Sequence, residues 1–246
     1  MNPRRRAILA ALTACALRPP SVLAQGARID AMRFSAMKPG AMLPAELQPW
    51  TFAGGPRPTR YSLVDDEGGV VLRADAQGSA SGLVREMSVD PRTHPSLAWR
   101  WKAMNLVERG DLRRKDGDDF AARVYLTFDP DPSTLSTGER MQLSIARMMH
   151  GTKVPAAALC YVWDRKALRE TLVPNAFTDR VRMIVAESGS ERVGQWVEVR
   201  RDILKDYRRA FGTEAPRVTS VIVSTDTDNT GESIVAYYGD ISFGPP

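Results

Sequence analysis

Leu97-Ala-Trp-Arg-Trp-Lys-Ala103 and Phe120-Ala-Ala-Arg-Val-Tyr-Leu-Thr-Phe128, joined by a charged loop, decide the fold class. Both runs alternate. In the first, Leu97, Trp99, Trp101 and Ala103 fall on one face while Arg100 and Lys102 fall on the other, because strand side chains alternate with period two. In the second, Phe120, Ala122, Val124, Leu126 and Phe128 share one face, and Ala121, Arg123, Tyr125 and Thr127 share the opposite one. Each strand therefore has an apolar side for a core and a side carrying cations, a phenol and a hydroxyl. That pattern belongs to sheets with one buried face.

Working outward, short strand-like runs follow one another between turn signals. Arg60 to Val64 and Val70 to Ala74 flank Asp65-Asp66-Glu67-Gly68-Gly69, which reads as a hairpin loop. Ser81 to Val89, Trp196 to Arg200, Val218 to Ser224 and Ser233 to Phe243 are further candidates. Leu159 to Trp163 and Val181 to Glu187 are unbroken apolar runs, which predicts central strands covered on both faces. One helix is expected near 202–211: Asp202 caps it, Ile203, Leu204, Tyr207, Ala210 and Phe211 form a stripe, and Gly212 ends it. Residues 140–149 fit helix or strand equally. Residues 25–56, rich in Pro, Gly and Met, form a lead-in that packs Trp50 and Phe52 against the domain edge. The whole predicts an all-β, two-sheet antiparallel sandwich, jelly-roll-like, filling 57–246 as one domain.

The first 24 residues read as an export signal. Arg4-Arg5-Arg6 is the positive region, Ala7 to Leu17 the apolar one, and Val22-Leu23-Ala24 a small-residue cleavage site. Leu12-Thr13-Ala14-Cys15 also matches a lipobox, with a lipid anchor on Cys15, and Arg5-Arg6 a twin-arginine core. Eleven apolar residues are too few to span a bilayer. The expected location is periplasmic or secreted, with membrane anchoring as the alternative. The formal charge of +5 belongs mostly to this leader: removing its four arginines leaves 30 basic against 29 acidic residues, too balanced for nucleic acid. Cleavage after Ala24 leaves Cys160 alone in an apolar run, hence a buried, inert thiol.

Several chemistries are absent. The two histidines, His94 and His150, precede a proline and a glycine and cannot build a His-rich zinc site. No G-x-S-x-G elbow, phosphate-binding glycine loop or dinucleotide fingerprint occurs, so no nucleotide cofactor is expected.

Three constellations remain. In the cluster Asp116, Asp118, Asp119 and Arg123, Asp119 could accept hydrogen bonds from sugar hydroxyls with Arg123 and Tyr125 lining the same surface, or two carboxylates could supply an acid–base pair; equally, Asp118 or Asp119 could pair with Arg100 or Arg123 and pin the loop. Trp196, beside Glu198 and Arg200, could form an aromatic platform with Tyr125, Tyr237 and Tyr238, while Trp99 and Trp101 belong to the core. Asp226, Asp228 and Thr230 with Gly231 reproduce the start of a calcium loop, although Tyr237 stands at its twelfth position where glutamate is required. Together these predict one polar sheet face made by Arg100, Lys102, Arg123, Tyr125 and Trp196, rimmed by Asp118 and Asp119. Its ligand would be a glycan or another envelope component. The rivals are a polysaccharide-acting enzyme and a structural scaffold.

Leu97 to Lys102, Gly117-Asp118-Asp119 to Tyr125, Tyr161-Val162-Trp163, Trp196 to Gly212 and Thr225 to Ile241 together resemble the exported bacterial domains of unknown function numbered 3047 (DUF3047). The resemblance implies an exported β-rich domain and no particular activity. A looser similarity in fold is to carbohydrate-binding jelly rolls.

Overall fold

A computed structural model describes residues 27–51, 55–129 and 156–246, together with 137, 138 and 141. The leader with Cys15, Phe52 and the ambiguous run at 142–149 lie outside the described residues. In chain order the elements are β1 (Ile29–Met32), β2 (Gln48–Trp50), β3 (Arg60–Asp66), β4 (Gly69–Gln77), β5 (Ala80–Val89), β6 (Ser96–Ala103) and β7 (Arg123–Phe128). Then follow β8 (Ala157–Asp164), β9 (Leu172–Pro174), β10 (Val181–Ser188), β11 (Val197–Asp202), helix α1 (Ile203–Phe211), β12 (Val218–Asp226) and β13 (Ser233–Gly244).

They form a jelly-roll-like sandwich of two sheets. One sheet runs β11-β6-β13-β4-β3, with β1 added beside β13; the other runs β2-β5-β12-β7-β8-β10-β9. The lead-in segment thus supplies one strand to each sheet. The β3–β4 hairpin closes on Glu67 and Gly68, both at positive φ. All pairings are antiparallel except β8 with β10, which lie parallel because the chain leaves β8, makes β9 at the edge and returns between them. The two continuous apolar runs are these strands. Their inner face joins the main core, and their outer face is covered by Leu112 and Phe120, which pack on Cys160, Val162, Met183 and Val185.

The alternation in β6 holds: Trp99 and Trp101 are buried between the sheets, with Arg100 and Lys102 on the outer side. Trp99 meets Trp101 edge-on at 5.3 Å and Tyr161 at 5.2 Å, and Trp101 meets Trp163 at 6.1 Å. These contacts bind β6 of one sheet to β8 of the other. In the second run the alternation begins later than expected. The strand starts at Arg123, so Phe120 is not on the core side with Val124; it lies in the preceding loop, against the outer face.

Helix α1 is capped as its sequence predicts. Asp202 accepts from the Lys205 amide at 3.0 Å, and Gly212 takes the left-handed conformation, φ 73°. Asp206, on its buried face, accepts from Arg201 at 2.7 Å and from the Tyr161 hydroxyl at 3.0 Å.

Gly82 of β5 fixes a close approach: a Cβ there would stand 2.6 Å from the Val223 carbonyl oxygen and 3.1 Å from the Trp50 ring. Gly82→Ala should therefore cost about 1–3 kcal/mol, read as a melting temperature lower by roughly 2–4 °C per kcal/mol in thermal circular dichroism. An unchanged transition would contradict this packing.

Candidate functional site

The outer face of the seven-stranded sheet carries a groove of about 750 Å³. It runs across the strands from Trp50 on β2 to Phe177 in the β9–β10 loop, a span of about 24 Å for five interstrand spacings. Trp50 pairs with Gly82, whose missing side chain lets the indole lie flat and reach Tyr125, ring to ring at 5.6 Å. The floor is Val84, Ile222, Tyr125 and Thr127, all on outward positions of β5, β12 and β7. At the far end Phe177 stands 56% exposed. Its loop is pinned by Asn175, whose side chain accepts from the Phe177 amide at 3.0 Å and donates to Asp118 at 2.8 Å.

The polar end is organised by Arg123, 2% exposed. Its Nε donates to Asp226 Oδ1 at 2.9 Å, and Nη2 lies 2.6 Å from Asp226 Oδ2. Nη1 donates to Asp118 Oδ1 and to the Tyr125 hydroxyl, both at 3.2 Å, and Nη2 donates to the Asp118 carbonyl. The guanidinium also lies 4.4 Å over the Phe120 ring. A buried ion pair of this kind needs all its hydrogen-bonding groups satisfied, and here two carboxylates, a carbonyl and a phenol do so. The pairing of Asp118 with Arg123, one of the alternatives in the sequence, is the one formed.

Asp119 anchors the β12–β13 loop, accepting from the amides of Asn229 at 3.3 Å and Thr230 at 2.6 Å. One carboxylate oxygen from each of Asp119, Asp226 and Asp228 lies within 4.8 Å of the others, and among the described residues these three are the group that could hold a metal ion. The contiguous set Asp226, Asp228 and Thr230 is thereby altered: Asp119 enters from far away in sequence, Asp226 is committed to Arg123, and the buried Thr230 hydroxyl has no hydrogen-bond partner. Burial pushes the Asp226 carboxyl up to about 7, with Arg123 opposing and Asp118 and Asp119 adding to the rise. Burial and then Asp119 also raise Asp228. Cys160 lies beneath Tyr125 and is inert, its thiol pushed up to about 12 by burial.

Arg100, Lys102 and Trp196 do not join this site. They occupy the outer face of the other sheet, on the opposite side of the sandwich, so the single polar face expected from the sequence is divided in two. There the cations cover the indole: Arg100 lies 4.4 Å and Lys102 5.2 Å over the Trp196 ring, and the Trp196 Nε1–H donates to Asp66 at 2.7 Å. Lys102 is buried and paired with Asp66 and Glu67. Tyr237 packs beside Trp196, while Tyr238 is in the core, its hydroxyl donating to the Ser224 carbonyl at 2.6 Å. This second face is a closed network rather than an open platform. Trp50, Asn175, Phe177 and Glu86 complete the groove and were not assigned to a site from sequence; only Trp50, an aromatic after a proline, carried any signal.

A family model described as a protein of unknown function (DUF3047) matches residues 45–242. The chain belongs to this family. The groove of this DUF3047 domain, from Trp50 to Asn229, falls wholly within the matched span. Among solved structures, a family 30 carbohydrate-binding module of a cellulosomal cellulase of Clostridium thermocellum is similar at 11% identity and TM-score 0.43, over 88% of the DUF3047 chain and 96% of that module. The glycoside hydrolase domain of Endo-D from Streptococcus pneumoniae R6 is similar at 10% identity and TM-score 0.34, over 80% of this chain and 21% of that one. No curated protein sequence matches it.

Proposed function

We propose that this protein is an exported binding module whose groove takes a linear glycan chain. The observation that carries this reading is the groove's build: partly exposed rings at both ends, Trp50 and Phe177, with fixed polar groups between them. A sugar ring has apolar faces and a hydroxyl edge, so it stacks on aromatics and hydrogen-bonds to groups held in place. Asp118, Asn175, Thr127 and Ser220 offer such groups, and the ion pair with Arg123 keeps the Asp118 and Asp226 carboxylates from moving. A span of about 24 Å across the strands suits an extended chain better than a single sugar. The arginine-then-apolar pattern of residues 1–24 supports an envelope or secreted location for this module.

Binding is favoured over hydrolysis for a specific reason. A glycosidase needs one carboxyl free to give a proton and another free to attack or to activate water. Here Asp118 and Asp226 are both held on the Arg123 guanidinium, and the two exposed carboxyls, Glu86 level with Ser220 and Asp228 beyond Asp226, lie about 20 Å apart along the strands, too far for an acid–base pair.

The test is calorimetric titration of the full chain with neutral linear oligosaccharides built from glucose, xylose or N-acetylglucosamine. At least one should bind. Trp50→Ala and Phe177→Ala should each lower that affinity about tenfold, or about 1.4 kcal/mol, while Trp196→Ala leaves it unchanged. Absence of binding across the panel, or loss of it only in Trp196→Ala, would overturn the reading.

A further inference from the structure

The charge in the groove narrows the ligand class. This step rests on the binding reading above. Among the described residues, the carboxylates of Glu86, Asp118, Asp226 and Asp228 line the groove together with one guanidinium, that of Arg123. All three nitrogens of Arg123 are engaged by Asp118, Asp226 and Tyr125, and the side chain is buried, so it offers nothing to an anionic ligand. At the rim, Lys115 rests on the Phe177 ring, its Nζ 5.4 Å from the centroid. Glu86 and Asp228 are exposed, and neither makes an ion pair among the described residues.

Carboxylates in a partly water-excluded cleft repel one another more strongly than in bulk water. The crowding is greatest where Asp228 approaches Asp119 and Asp226, with oxygens within 4.8 Å. A positive group brought in by the ligand would relieve that repulsion, and a uronate, sulfate or phosphate would add to it. The aromatic ends still require a ring with an apolar face.

We infer that the groove selects a linear glycan bearing free amino groups, with an ammonium of one sugar seated against Asp228. De-N-acetylated hexosamine polymers are the class that combines such ammonium groups with stackable rings. Acetylation of the amine removes the charge and the selectivity with it.

The experiment compares four probes on the full chain in EDTA near neutral pH: a glucosamine hexamer, an N-acetylglucosamine hexamer, an oligogalacturonate and hexalysine. The glucosamine hexamer should bind at least tenfold more tightly than its acetylated form, the oligogalacturonate should not bind, and hexalysine should bind more weakly than the amino-sugar. Raising NaCl from about 0.05 to about 0.5 M should weaken the glucosamine hexamer severalfold through screening. Asp228→Asn should abolish the preference for the free amine, bringing the two hexamers to equal affinity. Equal or tighter binding of the acetylated hexamer overturns the amino assignment but leaves the glycan reading standing. Binding of the oligogalacturonate, or of hexalysine as tightly as the amino-sugar, also overturns it. Failure of both hexosamine probes and of every neutral oligosaccharide removes the glycan reading itself.

Discussion

Arg123 is where the sandwich is turned into a site. Its guanidinium, 2% exposed, joins three pieces of chain that the sheet alone would not hold together. These are the 104–122 loop through Asp118, the end of β12 through Asp226, and the floor of the groove through Tyr125. A lone buried cation would be prohibitively expensive, and removing one partner of a buried pair costs about 3–5 kcal/mol. The surrounding carboxylates are therefore constrained in position, and what faces solvent beside them is a cleft with fixed acceptors rather than a loose polar surface. Asn175 extends the same network one step further by tying Phe177 to Asp118.

The other layer serves a different purpose. Trp99, Trp101, Tyr161 and Trp163 lock the two sheets face to face, and on the outer side of the six-stranded sheet Trp196 is covered by that sheet's own charges. Arg100 over Trp196, together with Lys102 on Asp66, turns an aromatic that could have stacked on a ligand into part of an internal network. One face of the sandwich is thus closed and the opposite one open.

Much of this was readable in the residues, for identifiable reasons. Alternation in β6, the continuous runs of β8 and β10, and the Asp202 and Gly212 caps of α1 are local signals, and each maps to a local structure. The division of the polar residues was not readable. Parity says whether a side chain points into the core or out of it, but a sandwich has two outer faces, and nothing local assigns β6 to one sheet and β7 to the other. Arg100 and Arg123 look equivalent in sequence and end on opposite sides of the molecule. The loop at 226–231 hid a long-range partner in the same way: its own spacing names Asp226 and Asp228, while Asp119 lies six strands and a helix earlier in the chain. Phe177 and Asn175 had no periodicity to mark them, since their positions are set by tertiary hydrogen bonds.

The account's central claim is that the open face of the seven-stranded sheet, and not the closed face opposite, meets the ligand. The protein's five tryptophans report on this directly: three are in the core, Trp196 is on the closed face and Trp50 is in the groove. Nitrogen–proton correlation spectra of the indole groups, recorded while a glucosamine hexamer is added, should show the Trp50 resonance moving to saturation while that of Trp196 stays still. Movement of Trp196 with Trp50 unchanged would contradict it.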